Sequence, residues 1–336
     1  MPGRFDVSLE ELSAILGDEP AFRSRQVWRS LHAGREPDEM TDLPLALRAR
    51  LSQDLPAGLA PVVTSVNADG DTTKWLWSLA DGARIETVLM AYRSGRVTVC
   101  VSTQAGCAMA CSFCATGQAG FTRQLTAGEI VEQVVRAGRA SPAGRVSNVV
   151  FMGMGEPLAN YPATWAAVER LHFDLGLSAR HLTVSTVGVV PGILKLAAER
   201  LPVNLAVSLH AANDRLRDSM VPINRRYPLR LLMEACQAWA ASHNRRLSFE
   251  WALIDGVNDR PADAAELAAL ARPLGAHVNL IPLNPTPGYL TRGTPAAGVQ
   301  AFRDRLDAAG VNATVRRNRG TDIAAACGQL AAITGP

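Results

Sequence analysis

The sequence predicts an α/β protein whose main part is a partial (βα)6 TIM-like barrel, preceded by a small helical region and a β-meander. From residue 96 onward, short apolar runs alternate with helical patterns, and repeated strand–helix units form a parallel sheet covered by helices. The length of 336 residues leaves room for accessory segments around one such domain. We divide the chain into a helical N-terminal region (1–60), a β-meander (61–92), a barrel (93–318) and a C-terminal segment (319–336).

Composition limits the class of protein. Hydrophobic residues make up 48% and charged residues 19% of the chain, an ordinary globular balance. No apolar run is long enough to span a bilayer, and the first residues lack a signal-peptide pattern, so we expect a cytoplasmic protein with no membrane partner. Lys74 and Lys195 are the only lysines, so almost every cation is an arginine. Arginine suits contacts with phosphates and bases, but GC-rich coding explains the same bias.

Residues 1–60 have the pattern of short helices. In residues 22–32, Val27, Trp28 and Leu31 mark one apolar face. Three arginines fall largely outside that face: Arg23, Arg25 and Arg29. Such a polar face is either a solvated surface or an RNA-contacting one. In the second case we expect these arginines to share one basic face with residues 316–319.

Residues 61–92 predict a β-meander with strands at 62–66, 74–79 and 84–90. Asp69-Gly70-Asp71 separates the first two strands and Asp81-Gly82 separates the last two, and both stretches are good turn signals. Consecutive strands joined by tight turns pair as antiparallel neighbours.

The barrel strands are predicted from apolar runs at 96–102, 147–152, 181–185, 203–209, 247–253 and 277–281, with a seventh strand at 313–316 on the edge. Helical patterns lie between them, such as 126–138, 162–175 and 261–271. In barrels of this kind the chemistry lies on the loops that follow the carboxyl ends of the strands. Residues just after each strand are therefore candidates for one shared site.

Three cysteines occur within eight residues after the first barrel strand: Cys107, Cys111 and Cys114. A structural zinc site needs a fourth protein ligand, and the neighbouring sequence has no further Cys or His to supply it. A cubane 4Fe-4S cluster held by three thiolates keeps one iron open. An open iron can bind the amino and carboxylate groups of S-adenosylmethionine (SAM) and pass it an electron. The C-x3-C-x2-C spacing favours this radical SAM chemistry over zinc.

A glycine-rich turn, Gly-Met-Gly-Glu-Pro at 153–157, follows the second strand. Glycines let the backbone approach a ligand closely, and Glu156 can pair with an ammonium group, so this turn is a candidate for the SAM amino group. Polar residues also close later strands. Helix capping or loop polarity explains any one of them, but their recurrence favours a shared ligand. They include Ser185, Ser208, His210 and Asn284.

The other three cysteines lie in different settings. Cys100 is on the first barrel strand, and Cys327 lies just beyond the last strand, where the chain can return near the catalytic mouth. The residues alone leave two alternatives for this pair: a functional partnership or two buried thiols. Cys236 falls in a helical apolar pattern, so we expect it in the core.

Together these motifs resemble the RlmN/Cfr family of radical SAM RNA methyl synthases over nearly the whole chain. The resemblance rests on residues 100–107, the cysteine loop, the turn at 153–157, and the stretches at 208–210, 221–224, 279–285 and 326–330. Two rival classes explain less. A radical SAM enzyme acting on a small molecule or protein leaves Cys100 and Cys327 without a role. An iron–sulfur RNA-binding or redox-sensing protein does not need an open cluster beside a SAM-like turn.

The resemblance implies a reaction that uses two SAM molecules per turnover. One SAM methylates the Cys327 thiolate, and the second gives a 5′-deoxyadenosyl radical that removes a hydrogen from the new methyl group. The resulting carbon radical adds to an adenine, and Cys100 or Glu86 takes the ring proton. Cys100 then attacks the Cys327 sulfur, which frees the methylated base and leaves a disulfide. The resemblance also implies SAM contacts from Gly155, Glu156, Ser185, Ser208, Leu209, His210 and Asn284.

The resemblance implies the substrates as well. RlmN-type members methylate C2 of an adenosine in 23S rRNA and of the adenosine beside the tRNA anticodon, whereas Cfr-type members methylate C8 of the rRNA adenosine. Pro157 after Glu156, and the residues at 281–285 and 316–320, are similar to the RlmN type. We therefore expect C2 methylation, with C8 as the alternative, by a monomer that takes electrons from a donor such as flavodoxin.

Overall fold

Three short helices form the N-terminal region of the computed structural model: α1 (Leu9–Ile15), α2 (Phe22–His32) and α3 (Leu45–Asp54). Ser8 and Glu11 form a capping box that starts α1. The apolar face predicted for α2 is confirmed, because Val27 and Leu31 are buried in the core. The structure describes residues 3–141, 143–286, 289–316 and 318–331.

The predicted meander consists of β1 (Leu59–Val66), β2 (Thr72–Leu79) and β3 (Arg84–Ala91), which pair antiparallel in that order. β3 also pairs antiparallel with β4 (Val97–Cys100), the first barrel strand, so the meander and the barrel share one sheet. The buried carboxylate of Glu132 accepts a hydrogen bond from Gly58 N at 2.8 Å and from Arg136 Nε at 2.7 Å, which ties the start of β1 to a barrel helix.

A small structure that the sequence patterns did not predict lies between the first two barrel strands. It consists of β5 (Gln104–Gly106), a short helix α4 (Ala115–Gln118) and β6 (Phe121–Gln124), with β5 and β6 paired antiparallel. Gly106 has φ +77°, and a Cβ there would lie 2.1 Å from the Gly120 oxygen, so only glycine fits. This pair of strands encloses the cysteine loop, residues 107–114.

Seven parallel strands form the barrel, and the predicted fold class is confirmed. After β4 come β7 (Asn148–Phe151), β8 (Leu182–Thr186), β9 (Asn204–Ser208), β10 (Leu247–Leu253), β11 (His277–Pro282) and β12 (Ala313–Val315). The strand order of the ten-stranded sheet is β1-β2-β3-β4-β7-β8-β9-β10-β11-β12. The short strand β12 pairs only with β11 in this order, as expected for a seventh strand at the edge.

Helices cover the outer face of the parallel strands: α5 (Ala127–Ala140), α6 (Tyr161–Phe173), α7 (Val190–Ala197), α8 (Asp214–Met220), α9 (Leu229–Ser242), α10 (Pro261–Ala271) and α11 (Ala296–Ala308). Between helices and strands lie large buried side chains such as Trp239, Trp251 and Phe302. Cys236 of α9 is fully buried among them, as predicted. Across the described ranges, no helix is both long and apolar enough to cross a bilayer.

Candidate functional site

The cysteine loop lies at the carboxyl end of the barrel. Cys107 N donates to Gly120 O at 2.7 Å and Ser112 N donates to Met220 O at 3.1 Å, so the loop is fixed between the small sheet and α8. One cavity, which we call the loop cavity, is lined by all three predicted thiols: Cys107, Cys111 and Cys114.

Burial controls the chemistry of these thiols. It raises the pKa of Cys107 to about 12, and it also raises the pKa of Cys111. Such thiols stay protonated unless a metal takes the place of the proton. Within the described part of the chain, no three His, Cys, Asp or Glu side chains surround one ion position. Three thiols on one loop are the ligand set that would hold a cubane cluster with one iron left open.

Glu156 lies in the glycine-rich turn after β7 and lines the same cavity. Its two carboxylate oxygens accept hydrogen bonds from Leu158 N at 3.0 Å and Val187 N at 2.8 Å. Burial nevertheless raises the pKa of Glu156 to about 7, so a cationic ligand group would stabilise its ionised form. Gly155 has φ +99°, and a Cβ there would lie 2.5 Å from the side chain of Gln104, so the turn requires glycine.

The ends of later strands bring further predicted residues into the loop cavity: Ser185, Ser208, His210 and Asn284. Leu209 does not line the cavity. It is fully buried in the core, its N–H donates to Glu250 O at 3.0 Å, and its carbonyl accepts from Arg217 Nε at 3.0 Å. Its alternation with Ser208 along the chain explains this, because successive strand residues point to opposite faces.

Arg217 of α8 is a structural residue of the site that the sequence patterns did not reveal. Its side chain is fully buried and donates to Val187 O at 2.6 Å, Leu209 O at 3.0 Å and Asn224 Oδ1 at 2.8 Å. Burial lowers its pKa to about 10, which leaves it charged at neutral pH. It therefore joins the loops after β8 and β9. Its sequence neighbour Arg215 is equally basic, so composition could not show which arginine is buried.

Asn284 links the strand ends to the cysteine-bearing tail. Its Nδ2 donates to the Cys327 carbonyl at 3.1 Å, while its buried Oδ1 has no hydrogen-bond partner among the described residues. An orphaned buried oxygen costs free energy unless a ligand supplies a donor. Asn284 therefore fits a residue that holds Cys327 on one side and a ligand in the loop cavity on the other.

The segment after β12 is anchored at several points, which brings Cys327 to the site. Ala115 N of α4 donates to Gly328 O at 2.8 Å, Gln329 Nε2 donates to Pro285 O at 2.9 Å, and Lys74 Nζ of β2 donates to Ala324 O at 3.2 Å. The tail thus bridges the meander, the cysteine loop and the loop after β11.

Cys100 and Cys327, both free thiols, line a second cavity inside the barrel, which we call the barrel cavity. Burial raises the pKa of Cys100 to about 12, and the neighbouring Cys327 sulfur raises it as well. Cys327 also lines the loop cavity, whereas Cys100 does not border it. Cys327 therefore lies in the wall between the two cavities.

Glu86 of β3 lies apart from the loop cavity. Its Oε1 pairs with Lys74 Nζ at 2.8 Å, and its Oε2 accepts from Ala331 N at 2.9 Å. Both Lys74 and Glu86 line a third cavity between the meander and the tail.

The expected basic face differs in the structure. Arg25 and Arg29 are exposed on α2, but Arg319 is paired with Asp71 at 2.5 Å and Arg316 lines both the loop cavity and the barrel cavity. Arg317 lies outside the described residues. Arg316 therefore borders the interior of the site, and Arg319 is held by Asp71 and by the Ala91 carbonyl of β3 rather than sharing a face with α2.

Comparisons with known proteins agree with this geometry. Residues 101–268 match the radical SAM superfamily. A protein from Chloroflexus aurantiacus named "Probable dual-specificity RNA methyltransferase RlmN" is 52% identical over 346 residues, covering 97% of this chain and 92% of that protein. A protein of the same name from Moorella thermoacetica is 51% identical, covering 98% and 96%. The crystal structure of a radical SAM methyltransferase from Sphaerobacter thermophilus is 50% identical, with a TM-score of 0.95 and coverage of 99% and 100%.

The barrel, the cysteine loop and the matched residues define a radical SAM protein, and that superfamily implies a 4Fe-4S cluster and SAM as cofactors. The residues present fit both groups: three thiols on one loop that line one cavity, and a carboxylate and an orphaned amide oxygen in the same cavity. Within the superfamily, the chain belongs to the RlmN family of radical SAM methyltransferases.

Proposed function

We propose that the protein methylates C2 of a specific adenosine in 23S rRNA and of the adenosine beside the anticodon in some tRNAs. The name shared by the relatives, dual-specificity RNA methyltransferase, supports an RNA substrate and two targets. The observation that carries the proposal is the position of Cys327 between the loop cavity and Cys100, because a methyl-carrying thiol must meet both the cofactor and a second thiol.

Cys107, Cys111 and Cys114 would hold the cluster, and Glu156 would take the amino group of SAM. Ser185, Ser208, His210 and Asn284 would contact the rest of SAM, while Gly155 gives its backbone room. Leu209 would contribute only through its backbone, since its side chain is in the core. When bound, the cluster and two SAM molecules per turnover would supply one electron, one methyl group and a hydrogen-abstracting radical, and the cluster would take one electron back.

The chain's own residues carry out the remaining steps, which are methyl acceptance, proton removal and release of the product. Cys327 accepts the methyl group, and the carbon on its sulfur bonds to the adenine. Arg316 lines both cavities together with Cys327, so a cation borders the place where the methyl group would be accepted. Cys100 or Glu86 accepts the ring proton. Cys100 attacks the Cys327 sulfur, the bond from that sulfur to the transferred carbon breaks, and a disulfide is left between the two residues. The released carbon takes up a proton and becomes the methyl group of the base.

The product identifies the reaction. Reconstituted enzyme, SAM, dithionite and 23S rRNA or tRNA should yield 2-methyladenosine, measured by mass spectrometry of the digested RNA against synthetic standards. Formation of 8-methyladenosine would favour the Cfr-type alternative. Formation of 5′-deoxyadenosine without any modified RNA would contradict the RNA substrate.

We also propose a monomer in the cytoplasm with an electron donor such as flavodoxin. Size-exclusion chromatography and electron-transfer assays test the oligomeric state and the donor.

The exposed arginines of α2 give a test of RNA docking. Charge reversal by Arg25→Glu with Arg29→Glu should weaken RNA binding about tenfold or more at moderate salt and reduce the salt slope by about one to two, because phosphate contacts release counterions. The matched control reverses Arg200 and Arg272, which are exposed just before β9 and β11. Equal binding and equal salt slopes in both variants would show that α2 does not contact RNA.

A further inference from the structure

In the proposed function the barrel cavity holds Cys100 and Cys327 and is bordered by Cys114 of the cysteine loop, while most of its wall has no role. Its volume is about 770 Å³, within the range of small-molecule sites. Closed TIM barrels fill this space with bulky branched side chains. Here each of the seven parallel strands contributes one short polar side chain to the wall: Thr98, Asn148, Thr183, Asn204, Ser248, Asn279 and Thr314. The sequence of the strands therefore builds a polar interior that side chains do not fill.

The charge of this cavity is strongly positive. Four arginines line it, namely Arg96, Arg246, Arg316 and Arg319, against a single acidic residue, Glu250. Arg96 and Arg319 both lie over the ring of Tyr92, at 3.9 Å and 4.3 Å from its centre. Within the described residues, only Arg319 of the four has an acidic side chain in salt-bridge distance. The unpaired arginines would attract a small anion.

Glu250 is the acidic residue at the end of the barrel cavity that meets the loop cavity. It is 4% exposed, and its Oε1 accepts from Ser248 Oγ at 3.0 Å and Asn279 Nδ2 at 2.8 Å. Its buried Oε2 has no hydrogen-bond partner among the described residues. Like Asn284 Oδ1, Glu250 Oε2 is thus a buried acceptor that a ligand could supply with a donor. Glu250 lines both cavities, as do Arg316 and Cys327.

The barrel cavity also determines from which side a small molecule can reach Cys100 and Cys327. Both Cys100 and Cys327 line it, but only Cys327 lines the loop cavity, where SAM would bind. The sulfur of Cys100 in a disulfide would therefore be approached from the barrel cavity. Arg316 lines both cavities, and the Cys327 sulfur is the main reason that its pKa is raised.

We propose that the barrel cavity admits a small thiol that carries an anionic group, such as a carboxylate, phosphate or sulfonate, and that this thiol reduces the Cys100–Cys327 disulfide after each turnover. The inference rests on the proposed function, which forms that disulfide. The reaction preceding each new cycle is thus a thiol–disulfide exchange, with the external thiol as the reductant.

The exchange balances in two steps. The external thiolate attacks the Cys100 sulfur, the S–S bond breaks, and the electron pair leaves on Cys327 sulfur beside Arg316, a cation that stabilises the leaving thiolate. A second external thiolate attacks the outer sulfur of the mixed disulfide and releases Cys100. Two external thiols become one external disulfide, and their two protons remain for Cys100 and Cys327.

The test uses the holoenzyme carrying Cys236→Ala, so that Cys100 and Cys327 are the only cysteines not assigned to the cluster. One equivalent of 4,4′-dithiodipyridine, added anaerobically, converts them to the disulfide. Its reduction is then timed with 2-mercaptoethanesulfonate, 2-mercaptoethanol and cysteamine, by trapping the freed thiols with N-ethylmaleimide for mass spectrometry. Each rate is divided by that thiol's rate against 2-hydroxyethyl disulfide, which removes intrinsic differences in reactivity.

The anionic thiol should be favoured over the cationic one by about tenfold or more at low salt, and salt should reduce this preference. Arg246→Gln should lose most of the preference. Arg93→Gln, which removes an exposed arginine that does not line the cavity, should keep it. Equal normalised rates for the three thiols would overturn the inference and leave the proposed function standing. Failure to form the disulfide at all would contradict both.

Discussion

A Cys327→Ala enzyme is expected to form no methylated adenosine while it still assembles its cluster and cleaves SAM. Cys327 would carry the transferred carbon, so its removal leaves no covalent route, and product formation should fall by at least about 1000-fold. The fold should be nearly unaffected, because Cys327 lines cavities and the tail is held by other contacts. The measurements are methylated adenosine and 5′-deoxyadenosine from the same reaction.

The matched partner variant, Cys100→Ala, should fail at a later step. It keeps the methyl-accepting thiol but lacks the second thiol, so protein should accumulate bound to RNA through Cys327. A gel shift that nuclease treatment reverses would detect this species. The mechanism is wrong if the Cys327→Ala enzyme still methylates RNA. If both cysteines only fill space, each variant should lose about 1 kcal/mol of stability and form no adduct.

The second large effect is expected from Cys111→Ala. This change leaves two thiolates on the loop, too few to keep a cubane with one open iron, so the brown absorbance and all SAM cleavage should be lost. Cys236→Ala is a well-matched control because Cys236 is also buried and burial raises its pKa to about 12. Unlike Cys111, it lies on helix α9 in the hydrophobic core of the protein. It should keep both signals. Retained absorbance and SAM cleavage in Cys111→Ala would exclude Cys111 as a ligand.

Periodicity predicted the barrel well because each buried parallel strand is a short apolar run bounded by a helix. β10 shows the strength of this signal, since all seven of its residues are buried. The small sheet of β5 and β6 was missed for the opposite reason. Its strands have three and four residues, and β6 is largely exposed, so no hydrophobic pattern marks it. Its only sequence signs are Gly106 and Gly120, whose backbones lie in close contact.

The sequence predicted the site residues that directly follow strands. It could not predict which cavity a residue faces when that depends on how distant segments pack together. The three loop thiols, Glu156 and Asn284, which the sequence places after successive strands, line one cavity, and their roles stay predictions. The same reasoning could not show that Glu86 faces a different cavity, because that depends on how the tail crosses the meander. Glu250 gave a signal that went unused: a carboxylate in the middle of an otherwise apolar run indicates a polar barrel interior.

The outer strand β1 has a consequence for the behaviour of the protein in concentrated solution. Three of its valines are exposed, Val62 by 40%, Val63 by 42% and Val66 by 55%. An apolar strand at the margin of a sheet is a template on which another copy can add its own strand. The pairing register shifts between Pro61 and Val63, and Pro61 has no N–H to donate, so the row of backbone groups is interrupted. This local irregularity opposes intermolecular stacking, and a regular β1 would make the chain prone to aggregate.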